Sequence, residues 1–358
     1  MSGGVDSSVA AALLLKDGYD VTGAFMVDYD DPERPGSCWH SDYEDALRVC
    51  AKLGIKLLRL DFRKEYKKLV LDYMYKEYEA GRTPNPDVLC NKYIKFGVWL
   101  DKAKELGFDL VATGHYARLE RETPNPKSQF PNKSKLSKSK IKLLQAKDKN
   151  KDQTYFLHQL TQKQLQSTVF PLGKYTKPEV RKLAQKFNLP TAEKEESMGI
   201  CFIGEVPMKE FLQKKIKSKK GKIINSAGEI LGEHDGLAFY TIGERGLKLG
   251  KGTTGRPYFV VSKNIKDNEL VVGHEDDPML YKKEIQIGEI NWISGQPPKF
   301  PLKCKVRLRH RQELQNCVIS NKNNKIFVNF SKPERAPTPG QFAVFFLKGE
   351  CLGGGVIV

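Results

Sequence analysis

Two cysteines stand in surroundings that could make a thiol react. Cys90 follows Arg82-Thr83-Pro84-Asn85-Pro86-Asp87-Val88-Leu89, a loop stiffened by Pro84 and Pro86 that delivers it near the start of a helix. A helix end stabilises a thiolate, and the thiolate is the nucleophilic form of cysteine. Asp87 lies three residues earlier, close enough in sequence to exchange a proton with that thiol or with a substrate. The same residues also fit a buried structural cysteine beside an N-cap aspartate. Cys201 lies in Ser197-Met198-Gly199-Ile200-Cys201-Phe202-Ile203-Gly204, an apolar stretch that by itself reads as a core strand.

A third segment suits an anion. Ser2-Gly3-Gly4-Val5-Asp6-Ser7-Ser8 opens the first helical pattern, so successive backbone N–H groups and the positive helix end face one spot. Gly3 and Gly4 let the backbone approach a phosphate without a Cβ in the way, and Ser2, Ser7 and Ser8 add hydroxyl donors. The spacing differs from GxxxxGK[ST], the loop of enzymes that cut at a γ-phosphate.

The composition bounds what surrounds these residues. At 358 residues the chain is long enough for two or three domains. With 60 Lys and Arg against 43 Asp and Glu, its formal charge of +17 suits a polyanionic partner, although a lysine-rich composition alone reaches the same total. No apolar run approaches the roughly 18 residues that span a bilayer, so a cytoplasmic protein without a membrane partner is expected. The 7 cysteines are odd in number and scattered without a CxxC pair, which argues against a disulfide scaffold or a zinc cluster.

Helix and strand patterns alternate through the first third, the signature of an α/β parallel sheet with helices on its faces. Residues 7–16 and 93–106 read as helices and 21–27, 57–62 and 110–113 as strands, with Ser41 and Glu44 at capping-box spacing. A basic insertion spans about 119–150, with no strand or helix period across 124–140, and reads as a mobile loop. The helix 177–188 with Pro178 at its start closes a first domain at about 1–205. Short glycine-punctuated strands follow in a small β-rich domain, 206–275, and alternating runs over 276–358 predict a β-barrel. Arg307 and Arg309, taken alone, fit an exposed face of that barrel.

The phosphate loop resembles the PP-loop of ATP pyrophosphatases, a Rossmann-like group that activates a carbonyl oxygen as an AMP ester. The wider series SGGVDSS, GRTPNPDVLCNKYIKFG, ATGHYAR, KDQTYFL, FPLGKYTKPEVR, ESMGICFIG, GEHDGLAFYTIGERGL, RLRHRQ, APTPGQFAVF and CLGGG is similar, in order and over nearly the whole length, to tRNA 2-thiouridylases of bacterial and mitochondrial type.

That resemblance implies a tRNA-modifying sulfurtransferase that uses ATP with Mg2+ held by the phosphates and by no side-chain cluster. It places ATP on Ser2, Gly3, Gly4, Val5, Asp6 and Ser7, with Met26 and Gly114 lining the adenine pocket. It makes Cys201 the persulfide carrier, Cys90 the second thiol that closes a transient disulfide with it, and Asp87 an acid/base. For tRNA it implies contacts from Asn85, Pro86, Asp87, His115, Lys151, Asp152, Gln153, Arg307, Leu308 and Gln341. A sulfur-donor protein, either a persulfide relay or a cysteine desulfurase, would load Cys201; a monomer in the cytoplasm or the mitochondrial matrix is expected.

The sequence departs from the family at ESMGICF and at Glu244, where Gln is frequent, and neither change touches the chemistry. A larger departure is the hydrophobic strand that ordinarily leads into the loop, because Met1 stands directly before Ser2. A parallel sheet without its first strand loses ladder bonds, so an unstable or weakly active chain is expected. The rival readings are another PP-loop enzyme, such as a lysidine synthetase, an argininosuccinate synthase or a 4-thiouridine synthase, and a noncatalytic RNA-binding relative. The pair Cys90 and Cys201 argues against the first two.

Overall fold

The computed structural model describes residues 1–30, 39–121, 140–195, 207–247, 249 and 255–358. Its first unit begins with the helix Val5–Lys16, whose Ala10, Ala11 and Ala12 are buried with Val9, Leu13 and Leu14. Alanine costs no side-chain entropy in a helix and lets neighbours approach closely, which suits an element covered on several sides. Strand β1 (Gly23–Val27) is a septum. Its Phe25 and Val27 pack with Ala46 and Tyr43 of the helix His40–Leu53, while Met26 faces the cluster that holds Tyr66, Cys90 and Ile94.

β1 pairs in parallel with β2 (Leu57–Asp61), and β3 (Val111–Ala112) pairs in parallel with β6 (Thr168–Val169); among the described residues the two pairs form separate two-stranded ladders. The amine of Met1 donates to the carbonyl of Ala24 on β1. The expected parallel sheet is therefore present in two halves.

Between them in sequence, β4 (Ala117–Arg121) and β5 (Ile141–Gln145) form an antiparallel ladder. The flanks of the basic insertion are thus ordered strands rather than loop, and the expectation for 124–139 falls outside the described residues. A smaller correction concerns Ser41, which lies inside its helix: Trp39 is the N-cap, and no side-chain cap bond forms. The helix expected at 93–106 starts earlier, as Pro86–Leu89, then a π-helical stretch Cys90–Val98, then Trp99–Glu105. Pro86 at the first helical position and Asn85 as N-cap explain that start.

The middle unit carries β7 (Gly221–Asn225), β8 (Ile230–His234), β9 (Phe259–Asn264) and β10 (Glu269–Gly273) in the order β8-β7-β10-β9. The last unit comprises β11 (Tyr281–Trp292), β12 (Leu302–Arg307), β13 (Gln315–Lys322), β14 (Lys325–Arg335), β15 (Phe342–Leu347) and β16 (Glu350–Ile357). They run β11-β14-β13-β12-β15-β16, and β16 returns to pair with β11, which closes a barrel and leaves no open edge there. The first part of β16 also pairs with β5, Glu350 opposite Leu144 and Cys351 opposite Leu143, so the first unit's hairpin is sewn onto the barrel. One apolar cluster runs through all three units, from Tyr66, Cys90 and Leu157 to Phe239 and on to Phe342 and Phe346.

Candidate active site

The loop before the first helix has the form an anion needs. Gly3 sits at φ +69°, and a Cβ there would lie 2.3 Å from the Asp42 carbonyl oxygen, so a side chain is excluded. Gly4 is the N-cap and is extended, and no side chain caps the first-turn N–H groups, which leaves those donors to a ligand. Ser2 N donates to Ser7 Oγ at 3.1 Å, and Ser7 Oγ donates to Gly4 O at 3.1 Å, which shapes the turn. Ser8 departs from expectation. It is fully buried, donates to Gly4 O at 2.8 Å and accepts from Thr191 Oγ1 at 3.1 Å, so its hydroxyl braces the fold.

Asp6 is also committed, accepting from Tyr116 OH at 2.9 Å and from Lys177 Nζ at 2.7 Å. Gly114 meets the same turn, since a Cβ on it would stand 2.8 Å from the Asp6 carbonyl carbon. The structure thus brings Gly114 to Ser2–Ser7, with Met26 on the neighbouring strand.

The second cluster joins the first unit to the barrel. Asn85 Oδ1 accepts from Val88 N at 3.2 Å, and its Nδ2 donates to Gln341 Oε1 at 3.5 Å. Gln341 Nε2 donates back to Thr83 O at 2.9 Å and Pro84 O at 3.2 Å, and Thr83 N donates to Pro339 O at 2.9 Å. Gly340, at φ +92°, fits because a Cβ would come within 2.9 Å of Thr83 N. Tyr155 OH donates to Leu308 O at 3.1 Å, which adds Leu308 to the group. Asn85, Pro86, Leu308 and Gln341, scattered in sequence, therefore converge.

Cys90 follows directly, fully buried on the π-helical stretch, and Asn91 Nδ2 donates to Asp87 O at 3.0 Å. The thiol is four residues inside a helical run rather than at its tip, which corrects the expectation of a helix-end thiolate. A π-bulge in a helix is a frequent mark of a functional position. Cys201 lies outside the described residues. His115 is buried between Phe96 and Phe170, with Nδ1 2.8 Å from Thr113 Oγ1; burial, then the charge of Lys95, holds its pKa well below the ordinary imidazole value, so it is neutral.

Of the residues expected to touch RNA, Asp152 and Arg307 are buried and Gln153 is half-buried. Asp152 is sealed, accepting from Gln145 Nε2 at 3.1 Å, Ala146 N at 3.1 Å and Thr154 Oγ1 at 2.9 Å, and it pairs with Arg307. Gln153 is tied to Tyr116 by reciprocal bonds of 2.9 Å. Arg309 donates to Ala336 O at 2.9 Å and Ile242 O at 3.2 Å, so neither arginine lies on an exposed barrel face. Lys151 opens instead onto a cavity of about 360 Å³ shared with Lys149, Asn150 and Arg311, a basic concavity suited to a phosphate. Among the described residues no cluster of three or more acidic, histidine or cysteine side chains could hold a metal, and no helix is long and apolar enough to cross a membrane. Sequence reading missed Tyr155 and Lys177; the runs KDQTYFL and FPLGKYTKPEVR contain them, but nothing local marks their partners.

Family comparisons agree with this three-part layout. The description "tRNA methyl transferase HUP domain" matches residues 1–205, "tRNA methyl transferase PRC-barrel domain" 209–274 and "Aminomethyltransferase beta-barrel domain" 282–357. The tRNA-specific 2-thiouridylase MnmA of Streptococcus sanguinis is 45% identical over 364 residues, covering 100% of this chain and 93% of that protein. Those of Geobacillus thermodenitrificans and Legionella pneumophila are 45% and 46% identical, covering 100% of this chain and 93% and 96% of theirs. Likeness of that degree from end to end means that the chain belongs to the tRNA-specific 2-thiouridylase family.

Proposed function

We propose that this chain adenylates the C2 carbonyl of the wobble uridine, position 34 of a tRNA, and replaces its oxygen with sulfur. The observation that supports this reading is the hydrogen bond from Asn85 to Gln341 of the barrel, about one helical turn before the buried Cys90.

The chemistry divides among the chain's own groups. The first-turn N–H groups after Gly4 hold the phosphates of ATP, whose charge Mg2+ would screen. The uridine oxygen attacks the α-phosphate and pyrophosphate leaves. The outer sulfur of a persulfide on Cys201, loaded by a sulfur-donor protein, then attacks C2 and expels AMP, leaving a C2–S–S link to Cys201. The Cys90 thiolate attacks the Cys201 sulfur of that link, releasing the thiocarbonyl and forming a Cys90–Cys201 disulfide, which a dithiol reductant resets. Asp87 takes the proton of the attacking thiol. Cys90 is fully buried, so it reacts only where its covering side chains give way to the substrate.

Mass spectrometry of tRNA nucleosides after incubation with ATP and a persulfide donor tests the reading. 2-Thiouridine is expected only when ATP, donor, Cys90 and Cys201 are all present. Its formation by Cys201→Ser at the wild-type rate would overturn the assignment, and tRNA binding without any product would identify a noncatalytic relative.

A further inference from the structure

Asp28 is the outstanding polar group of the first unit. It is 2% exposed, and among the described residues neither carboxylate oxygen has a hydrogen-bond partner. Burying a carboxyl without partners is costly, and a protein ordinarily removes such a group or satisfies it. Arg63 pairs instead with two other carboxylates, Asp61 at 2.6 Å and Asp30 at 3.5 Å. Asp61, Glu65 and Lys95 are the charged groups that act on Asp28 through space, and burial pushes its pKa up to about 7.

Its place in the fold says what could fill the vacancy in its bonding. Asp28 follows directly on β1, beside β2, where Phe62 N bonds Val27 O, at the carboxyl ends of parallel strands where α/β sheets bind ligands. Asp28, the Met1 amine and His115 all feel the charge of Lys95, and the Met1 amine, next to Ser2, bonds Ala24 O on the strand that leads to Asp28. Four residues of extended chain separate Ala24, beside Met1, from Asp28, roughly 13 Å. The acidic corner of Asp28, Asp30, Asp61 and Glu65 repels phosphate, whereas the uncapped helix start attracts it. A nucleotide held by its phosphates at Gly3 and Gly4 must therefore point its uncharged end toward Asp28.

We propose that Asp28 is a specificity residue for the nucleotide, its carboxyl accepting hydrogen bonds from the uncharged donors of the nucleoside, the ribose hydroxyls or the base amino group. This rests on the reading of Ser2–Ser7 as the phosphate site. The unmet bonding of Asp28 is then that of a group whose partners are on the nucleotide, and the fold gains no hydrogen bond from its carboxyl.

Calorimetric titration of the full chain and of Asp28→Ala with ATP, 2′-deoxy-ATP, 3′-deoxy-ATP and purine riboside triphosphate tests it. Asp28→Ala should weaken ATP roughly ten- to a hundredfold, and at least one analogue lacking a donor should bind both proteins alike. The ligand-free melting temperature of Asp28→Ala should be unchanged or higher, because no bond is lost. Asp28→Asn, of the same size, is the parallel variant if the alanine chain does not fold, and it too should lose the discrimination. Wild-type affinity and discrimination in the variants would overturn the proposal. So would a lowered melting temperature with an equal loss for all four nucleotides. If the wild-type chain itself binds none of the four, it is the phosphate-site reading that fails.

Discussion

Arg307 Nη1 stands 3.3 Å from Asp152 Oδ2, with the two side chains 8% and 0% exposed. The pair ties the end of β12 to the loop before the helix Thr154–Leu157 and so locks the barrel against the first unit. Removing one partner strands a buried charge. Asp152→Ala is expected to cost on the order of 3–5 kcal/mol in urea unfolding, and the double variant Asp152→Ala/Arg307→Met to recover part of it. An unchanged unfolding midpoint with weakened tRNA binding would instead make these residues direct RNA contacts.

The close approach of Gly340 to Thr83 makes a second prediction. In Gly340→Ala a methyl must push the barrel loop off the segment that carries Asn85. A displacement of an ångström at a reacting centre costs about a hundredfold in rate. Thiolation should fall by that order while ATP binding stays at the wild-type level; a variant with full turnover would show that the clamp is dispensable.

Acid stability should depend on His158. Fully buried, with Nδ1 2.6 Å from Tyr155 O, it has its pKa lowered to about 3 from 6.5, chiefly by burial. The unfolded imidazole takes up its proton near 6.5 and the folded one only near 3, so between those values the unfolded chain binds more protons. Stability is therefore complete above the unfolded value and is lost as pH falls, by about 1.4 kcal/mol per pH unit. His158→Gln removes that slope. Urea midpoints taken from about pH 7 to about pH 4.5 should show the gap to wild type narrowing; parallel lines would refute it. His310, lowered to about 4 by burial and the neighbouring arginines, works in the same direction.

The local signals were legible in the sequence because each depends on near neighbours. The two glycines at a helix start and the alternating runs of the barrel appear where their patterns placed them. Long-range pairing was not legible. Nothing in residues 117–121 or 141–145 announces that they add to a barrel formed two hundred residues later, because register is decided by the partner. Pro84 and Pro86 read as a loop, yet Pro86 suits the first helical position and begins the run that carries Cys90. Arg307 reads as surface charge until Asp152 is beside it, and Asp28 reads as one acid among several until its neighbours prove to be taken.

Strand β16 has a double duty: its second half shuts the barrel on β11, and its first half receives β5. During synthesis the hairpin of the first unit waits with an exposed edge until this late strand emerges from the ribosome. Pairing across such a sequence separation is slow and leaves edges open to other chains. Closure of the barrel and its docking onto the first unit are consequently one late event, whereas the helix and glycine turn at the start of the chain are made long before.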